Sequence, residues 1–149
     1  MSVAVEVQAV AASYDHTLFL GQDGTVRAAG HNFYGQLGDG TTTRSLNQVQ
    51  ILDYVNSIST GSYHSLFLRE DDSVWATGSN ARGQFGDEST EGSLLPVRVL
   101  GRAARSMSAG MGTSFFVDEG DRVLAAGHNR RGELGIGATT GDTVTETLE

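Results

Sequence analysis

Gly30-His31-Asn32-Phe33-Tyr34-Gly35-Gln36-Leu37-Gly38 is written twice more along the chain. It returns as Gly78-Ser79-Asn80-Ala81-Arg82-Gly83-Gln84-Phe85-Gly86 and as Gly127-His128-Asn129-Arg130-Arg131-Gly132-Glu133-Leu134-Gly135. The first spacing is 48 residues and the second 49, a period in the range where recurrence means solenoids, propellers or arrays. The likeness reaches outward from this core, since Val26, Val74 and Val123 fall on one repeat position and Leu18, Leu66 and Phe115 on another.

Working back from each glycine-rich stretch gives the same succession of short segments. Val26-Arg27-Ala28-Ala29-Gly30, Val74 to Gly78 and Val123 to Gly127 lead directly into it as strands. Before them stand Asp23-Gly24, Asp71-Asp72-Ser73 and Glu119-Gly120-Asp121, residue types that tolerate the positive φ of a tight hairpin. Earlier still come His16-Thr17-Leu18-Phe19-Leu20, Ser65-Leu66-Phe67-Leu68 and Ser114-Phe115-Phe116-Val117, apolar on both alternating faces and too short for ordinary helices, the pattern of a strand covered on both sides. Each unit opens on small residues, Val10 to Ser13, Ile58 to Gly61 and Met107 to Gly110, which let neighbouring backbones crowd a central axis. A polar loop and a β-rich segment close each unit, with Pro96 expected at the first residue of an edge strand. No helix is expected.

Three or four strands per unit fit radially arranged antiparallel sheets. The fold class is therefore all-β: β-propeller blades of antiparallel strands, about three per chain, incomplete as a monomer. The units run approximately over residues 7–54, 55–103 and 104–149, and residues 1–6 read as a strand completing a neighbouring blade. Val3, Val5 and Val7 supply its period-two pattern.

Composition narrows the function. A net charge of −8 repels phosphate and argues against nucleic acid or an anionic membrane as partner. All ten basic residues are arginine, six of them from Arg98 onward. They read as a surface balanced by Asp118, Glu119, Asp121 and Glu133, or as a patch for a carboxylate-rich partner. No cysteine is present, so neither a disulfide framework nor a thiolate metal site is available. The start lacks the pattern of a signal peptide and no apolar run reaches membrane-span length, which makes the cytoplasm the expected location.

Catalytic, metal and cofactor sites are all expected to be absent. Gly35 to Gly40 is followed by no Gly-Lys-Ser/Thr, so it is not a phosphate cradle. His16 pairs with His64 by repeat position, and His31 with His128, but histidines one unit apart do not converge on a metal, so they read as local hydrogen-bonding groups. His64 and Ser65 point to opposite faces of a strand, and no nucleophile–base pair emerges. Gly30, Asn32, Gly35, Gly38, Gly78, Asn80, Gly83, Gly86, Gly127, Asn129, Gly132 and Gly135 are structural, the glycines for their dihedrals and the asparagines for hydrogen bonds to loop backbone. The informative positions vary inside this frame. Tyr14, Phe33, Tyr34, Tyr63, Arg82, Arg130 and Arg131 carry the side chains that dominate binding hot spots, and they are the candidate partner-binding residues.

Thr60-Gly61-Ser62-Tyr63-His64-Ser65-Leu66-Phe67-Leu68, the turn after it, Val74-Trp75-Ala76-Thr77-Gly78 and Asn80-Ala81-Arg82-Gly83-Gln84-Phe85-Gly86 together resemble a repeat of the regulator of chromosome condensation family. The resemblance covers essentially the whole chain. It implies a β-propeller, typically of seven blades, used as a binding platform: nucleotide exchange on a small GTPase, nucleosome contact, scaffolding, or, in a related bacterial group, inhibition of β-lactamase. Three units cannot make seven blades, and no wedge-like insertion of the exchange factors is found. The expected function is a non-catalytic protein-binding or assembly module that self-associates into a closed ring, with a protein as partner and a homo-oligomer as its form. Exchange activity or enzyme inhibition is the alternative.

Overall fold

The computed structural model describes residues 6–139, and the backbone of 144–148. Among these residues there is no helix. Twelve strands form three four-stranded antiparallel sheets, each a simple meander. The first holds β1 (Val7–Ala12), β2 (His16–Gly21), β3 (Val26–Gly30) and β4 (Ser45–Leu52); the second holds β5 (Val55–Thr60), β6 (His64–Arg69), β7 (Val74–Gly78) and β8 (Ser93–Arg98); the third holds β9 (Ala104–Ala109), β10 (Thr113–Asp118), β11 (Val123–Gly127) and β12 (Val144–Leu148). These sheets are propeller blades. No helix of the described residues is long and apolar enough to cross a membrane.

The hairpin inside each blade has one geometry built from different residues. Gly24 takes φ +80° in the first, while Asp72 and Asp121 take φ +62° at the same repeat position. The Gly24 and Asp72 N–H groups close a turn onto Gly21 and Arg69, and the Gly21 and Arg69 N–H groups reach Thr25 and Ser73. This is a tight turn followed by one left-handed residue.

Neighbouring blades meet through their first strands. β1 touches β5 and β5 touches β9, and β2 and β6 each rest against the first strand of the following blade. β4 and β8 lie at the opposite, outer edge. Two cores result, one per seam. Leu18, Leu20, Val26, Ala28 and Leu37 pack against Val55 and Phe67, with Ile58 and Trp75 beside them. One period later Leu66, Leu68, Val74, Ala76 and Phe85 pack against Phe116, Leu124 and Ala126. Leu66, Phe67 and Leu68 are all buried because the second blade is covered on both sides. Phe19, Phe115 and Val117, on the uncovered faces of the outer blades, are only half-buried.

Two placements differ from the sequence reading. Pro96 lies inside β8 rather than at its first residue, next to a register shift between the pairs Ala76/Val97 and Gly78/Ser93, where the missing N–H disrupts no ladder. Val7 opens β1 and pairs with Gly21, so it belongs to the first blade's inner strand. The rest of the expected strand, Val3 and Val5, lies outside the described residues.

Candidate functional site

The loops that follow β3, β7 and β11 and the turns that precede β2, β6 and β10 share one face of the molecule. Gly30, Gly78 and Gly127 set its geometry, with φ of +114°, +102° and +110°. A Cβ on them would stand 2.5, 2.4 and 2.1 Å from the carbonyl oxygens of Asp15, Tyr63 and Gly112. Those same carbonyls accept the N–H of His31, Ser79 and His128 at 2.8 to 2.9 Å, so each long loop is tied to the turn of its own blade at the one point where no side chain fits.

Inside the loops the asparagines act as cores of hydrogen bonding. Asn80 accepts the Phe85 N–H at 2.9 Å and its Nδ2 donates toward the Ser89 and Glu91 carbonyls at 3.1 Å. Asn32 repeats this with Leu37, Thr41 and Thr43, and Asn129 with Leu134 and Ala138. All three are buried. Gln36, Gln84 and Glu133 accept the N–H of Tyr34, Arg82 and Arg131. The frame thereby fixes the backbone of the variable residues while leaving their side chains outside.

Those side chains are unevenly distributed. Phe33 is 67 % exposed, Tyr34 43 % and Tyr63 40 %, although together they form one cluster. The Phe33 ring meets Tyr34 edge-on at 5.2 Å, and Tyr34 reaches across the seam to Tyr63 of the next blade at 4.9 Å. His31, absent from the sequence-derived candidates, stacks on Phe33 at 6.3 Å and holds Asp15 at 3.2 Å. An open groove begins at Tyr34 and runs past Asn80 and Thr90 to Leu94. Arg82 lies at the second seam, its Cγ 3.6 Å from where a Gly112 Cβ would stand. Arg130 and Arg131 are exposed on the third loop. Tyr14, also exposed, makes no ring contact among the described residues.

Below this face the histidines do something that their reading as local groups missed. His16 Nε2 lies 2.9 Å from Ser65 Oγ, and His64 Nε2 lies 2.9 Å from Ser114 Oγ, so each links its blade to the next. Ser65 donates its own proton to the Gln36 carbonyl at 2.7 Å. It must then accept from His16 Nε2–H, leaving Nδ1 to accept from Ser13 Oγ at 3.0 Å. Burial lowers the His16 pKa to about 4 against the opposing pull of Asp15. Burial, with a smaller push from His16, lowers that of His64 to about 3. Both are neutral struts. The His16–Ser65 contact is not a nucleophile–base pair in waiting, because Ser65 is fully buried and its proton is committed to a carbonyl. The signal was in the sequence: histidine in one unit and serine one position further along in the next.

The opposite face carries arginines already matched to carboxylates. Arg122 binds Asp118 at 2.8 Å, Arg102 binds it at 3.4 Å, and Arg105 binds Asp121 at 2.6 Å. Burial alone would raise the Asp118 carboxyl, but the Arg122 and Gly120 N–H groups and the Arg122 guanidinium outweigh it and hold the pKa at about 2. No group of three His, Asp or Glu that could hold a metal occurs among the described residues.

A model of the regulator of chromosome condensation (RCC1) repeat matches residues 7–36 and 55–84. A search of curated protein sequences finds no match. Among solved structures, human WBSCR16 superposes with a TM-score of 0.86 at 21% identity, over all of this chain and 39% of that one. The structure of Kap60 bound to yeast RCC1 (Prp20) gives 0.79 at 22%, over 97% of this chain and 37% of the other. Prp20p from Saccharomyces cerevisiae, described with its binding to Gsp1p and histones, gives 0.78 at 22%, over 97% and 38%. The chain thus spans less than two-fifths of the length of each of these structures. The chain carries matched regulator of chromosome condensation repeats over residues 7–36 and 55–84, writes the same loop frame a third time, and shares the propeller-blade fold of these structures over essentially its whole length.

Proposed function

We propose that this chain is a non-catalytic protein-binding and assembly module, whose blades join with those of further copies into a closed ring and whose loop face receives a protein partner. The observation that carries the binding part is the cluster of Phe33, Tyr34 and Tyr63. Variable positions from two blades meet there as half-exposed aromatic rings on a backbone held rigid by Asn32, Gln36 and Gly30. Rigid aromatic side chains at a desolvatable seam are the material of binding hot spots, and exposed apolar clusters mark interaction sites. Yeast Prp20 offers a precedent in this fold, having been solved bound to Kap60. The assembly part is supported by Phe19, Phe115 and Val117, which are only half-buried at repeat positions that are buried in the middle blade.

A photo-crosslinking amino acid in place of Phe33, compared with one in place of Asp23 on the opposite face, tests the binding part in cells. A defined protein adduct at Phe33 only is expected. The same adducts from both positions would refute the loop face as the binding surface. Sedimentation of the chain at high micromolar concentration tests the assembly, for which a multiple of the 15.7 kDa chain mass is expected.

A further inference from the structure

Both seams obey one rule of contact. In the core, the positions of Leu18 and Leu20 in the first unit, and of Leu66 and Leu68 in the second, are laid on the next blade's Phe67 or Phe116. At the loop face, the residue before the second loop glycine lies against the residue before β6 or β10 of the next blade. Tyr34 lies on Tyr63, and Arg82 lies over Gly112.

The rule has one further term at each end of the array. The third unit offers Phe115 and Val117 where Leu66 and Leu68 stood, and both are only half-buried. The first unit offers Phe19 where Phe67 and Phe116 stood, half-buried, beside Val10, which is 58 % exposed. One open face therefore has the pattern of a covering face and the other that of a receiving face. At the loop level the remaining positions are Arg131 and Asp15. They carry opposite charge, and a seam filled by two aromatic rings inside the chain would be filled by an ion pair between its ends.

We infer that the first blade of a second copy docks on the third blade, head to tail, in the register of the internal seams, with Arg131 of one copy against Asp15 of the other. The inference rests on the self-assembly proposed above and specifies its junction. The Asp15 carboxylate already faces His31 through Oδ2 at 3.2 Å, and a carboxylate oxygen can accept a guanidinium in addition. The same register sets Thr113 opposite Thr17, at the positions where the internal seams have histidine and serine, so the junction holds no buried imidazole. Such a contact uses different surfaces on the two copies, and repeats until rotation closes the ring.

Charge reversal decides the matter. Arg131→Glu and Asp15→Lys, each tested in the full chain by sedimentation and light scattering, are expected to raise the dissociation constant about tenfold or more, since each puts like charges together. An equimolar mixture of the two variants is expected to recover association, because alternating copies place opposite charges at every junction. A melting curve checks that each variant folds. If Asp15→Lys does not melt cooperatively, Asp15→Asn takes its place, and the effect of Arg131→Glu is expected to shrink in the double variant, whereas independent effects would overturn the pairing. Association of the unaltered chain that neither charge reversal weakens, or a mixture that stays as weak as its parts, overturns this junction and leaves self-assembly standing. A monomeric unaltered chain at high micromolar concentration overturns both.

Discussion

Mild acid should loosen the seams between blades before it touches any carboxylate. The perturbation is a drop in pH from 7.5 to 5, and the groups that respond are His16 and His64. Each sets its Nε2 2.9 Å from a serine Oγ of the next blade, and burial holds their pKa values at about 4 and about 3. An unfolded histidine has a pKa of about 6.5. Above that value neither state takes up a proton and the histidines contribute no pH dependence. Between about 6.5 and 4 the unfolded chain is protonated while the folded chain stays neutral, so stability falls as the pH falls. At pH 5 the unfolded form gains about 2 kcal/mol from each histidine, or about 4 kcal/mol from both, against a total of about 5–15 kcal/mol for a typical domain. Asp118, whose pKa is lowered to about 2, and Asp23, Asp39 and Asp71, also lowered, lose their contributions as the pH falls from the ordinary carboxylate value toward their own lowered values, a window that lies mostly below that of the histidines. The assay is urea unfolding at pH 7.5, 6 and 5 at fixed protein concentration. It should be repeated on the His16→Thr, His64→Thr double variant, since Thr113 shows that threonine is buried without a clash at this position in the third blade. The original chain should lose about 4 kcal/mol and the variant, weaker at pH 7.5, should lose little more. Equal stability at pH 7.5 and 5, or an undiminished loss in the variant, would refute the reasoning.

Three further outcomes are expected. Gly30→Ala should cost more than about 3 kcal/mol or abolish folding, because its Cβ would meet the Asp15 carbonyl at 2.5 Å; Gly132→Ala, with φ +79° and none of the described residues within 4 Å, should cost only about 1–2 kcal/mol for the left-handed backbone. The two melting temperatures, measured side by side, check this. Asn80→Ala should destabilise by about 3 kcal/mol, since it strands the buried Phe85 N–H and two loop carbonyls at about 1–3 kcal/mol for each group left without a partner, and chemical denaturation reads the loss. Phe33→Ala, at a 67 % exposed position, should shift stability by no more than about 0.5 kcal/mol while weakening a crosslinked partner by about 1 kcal/mol or more, as titration calorimetry would show.

The blades were legible in the chain because each repeats its own local chemistry. Alternating apolar faces at Leu66-Phe67-Leu68, a turn residue tolerant of positive φ at Gly24 or Asp72, and a glycine before each long loop are requirements a strand or hairpin imposes within a few residues, so they survive as pattern. The loop frame was legible for the same reason, as Asn80 bonds within its own loop, at Phe85, Asp87, Ser89 and Glu91. What joins one blade to the next was not. His16 meets Ser65 49 residues away, and Tyr34 meets Tyr63 across the same seam. Spacing offers the histidine of one unit and the serine one position further along in the next, but the rotation between blades decides which side chains face each other. That rotation also turned a histidine that looked like a local hydrogen-bonding group into a buried link between sheets, and gathered Phe33, Tyr34 and Tyr63 into one surface. Sequence periodicity determined the unit; only packing of unit on unit determined the seam, since a seam is a relation between two surfaces and a repeat carries the pattern of one.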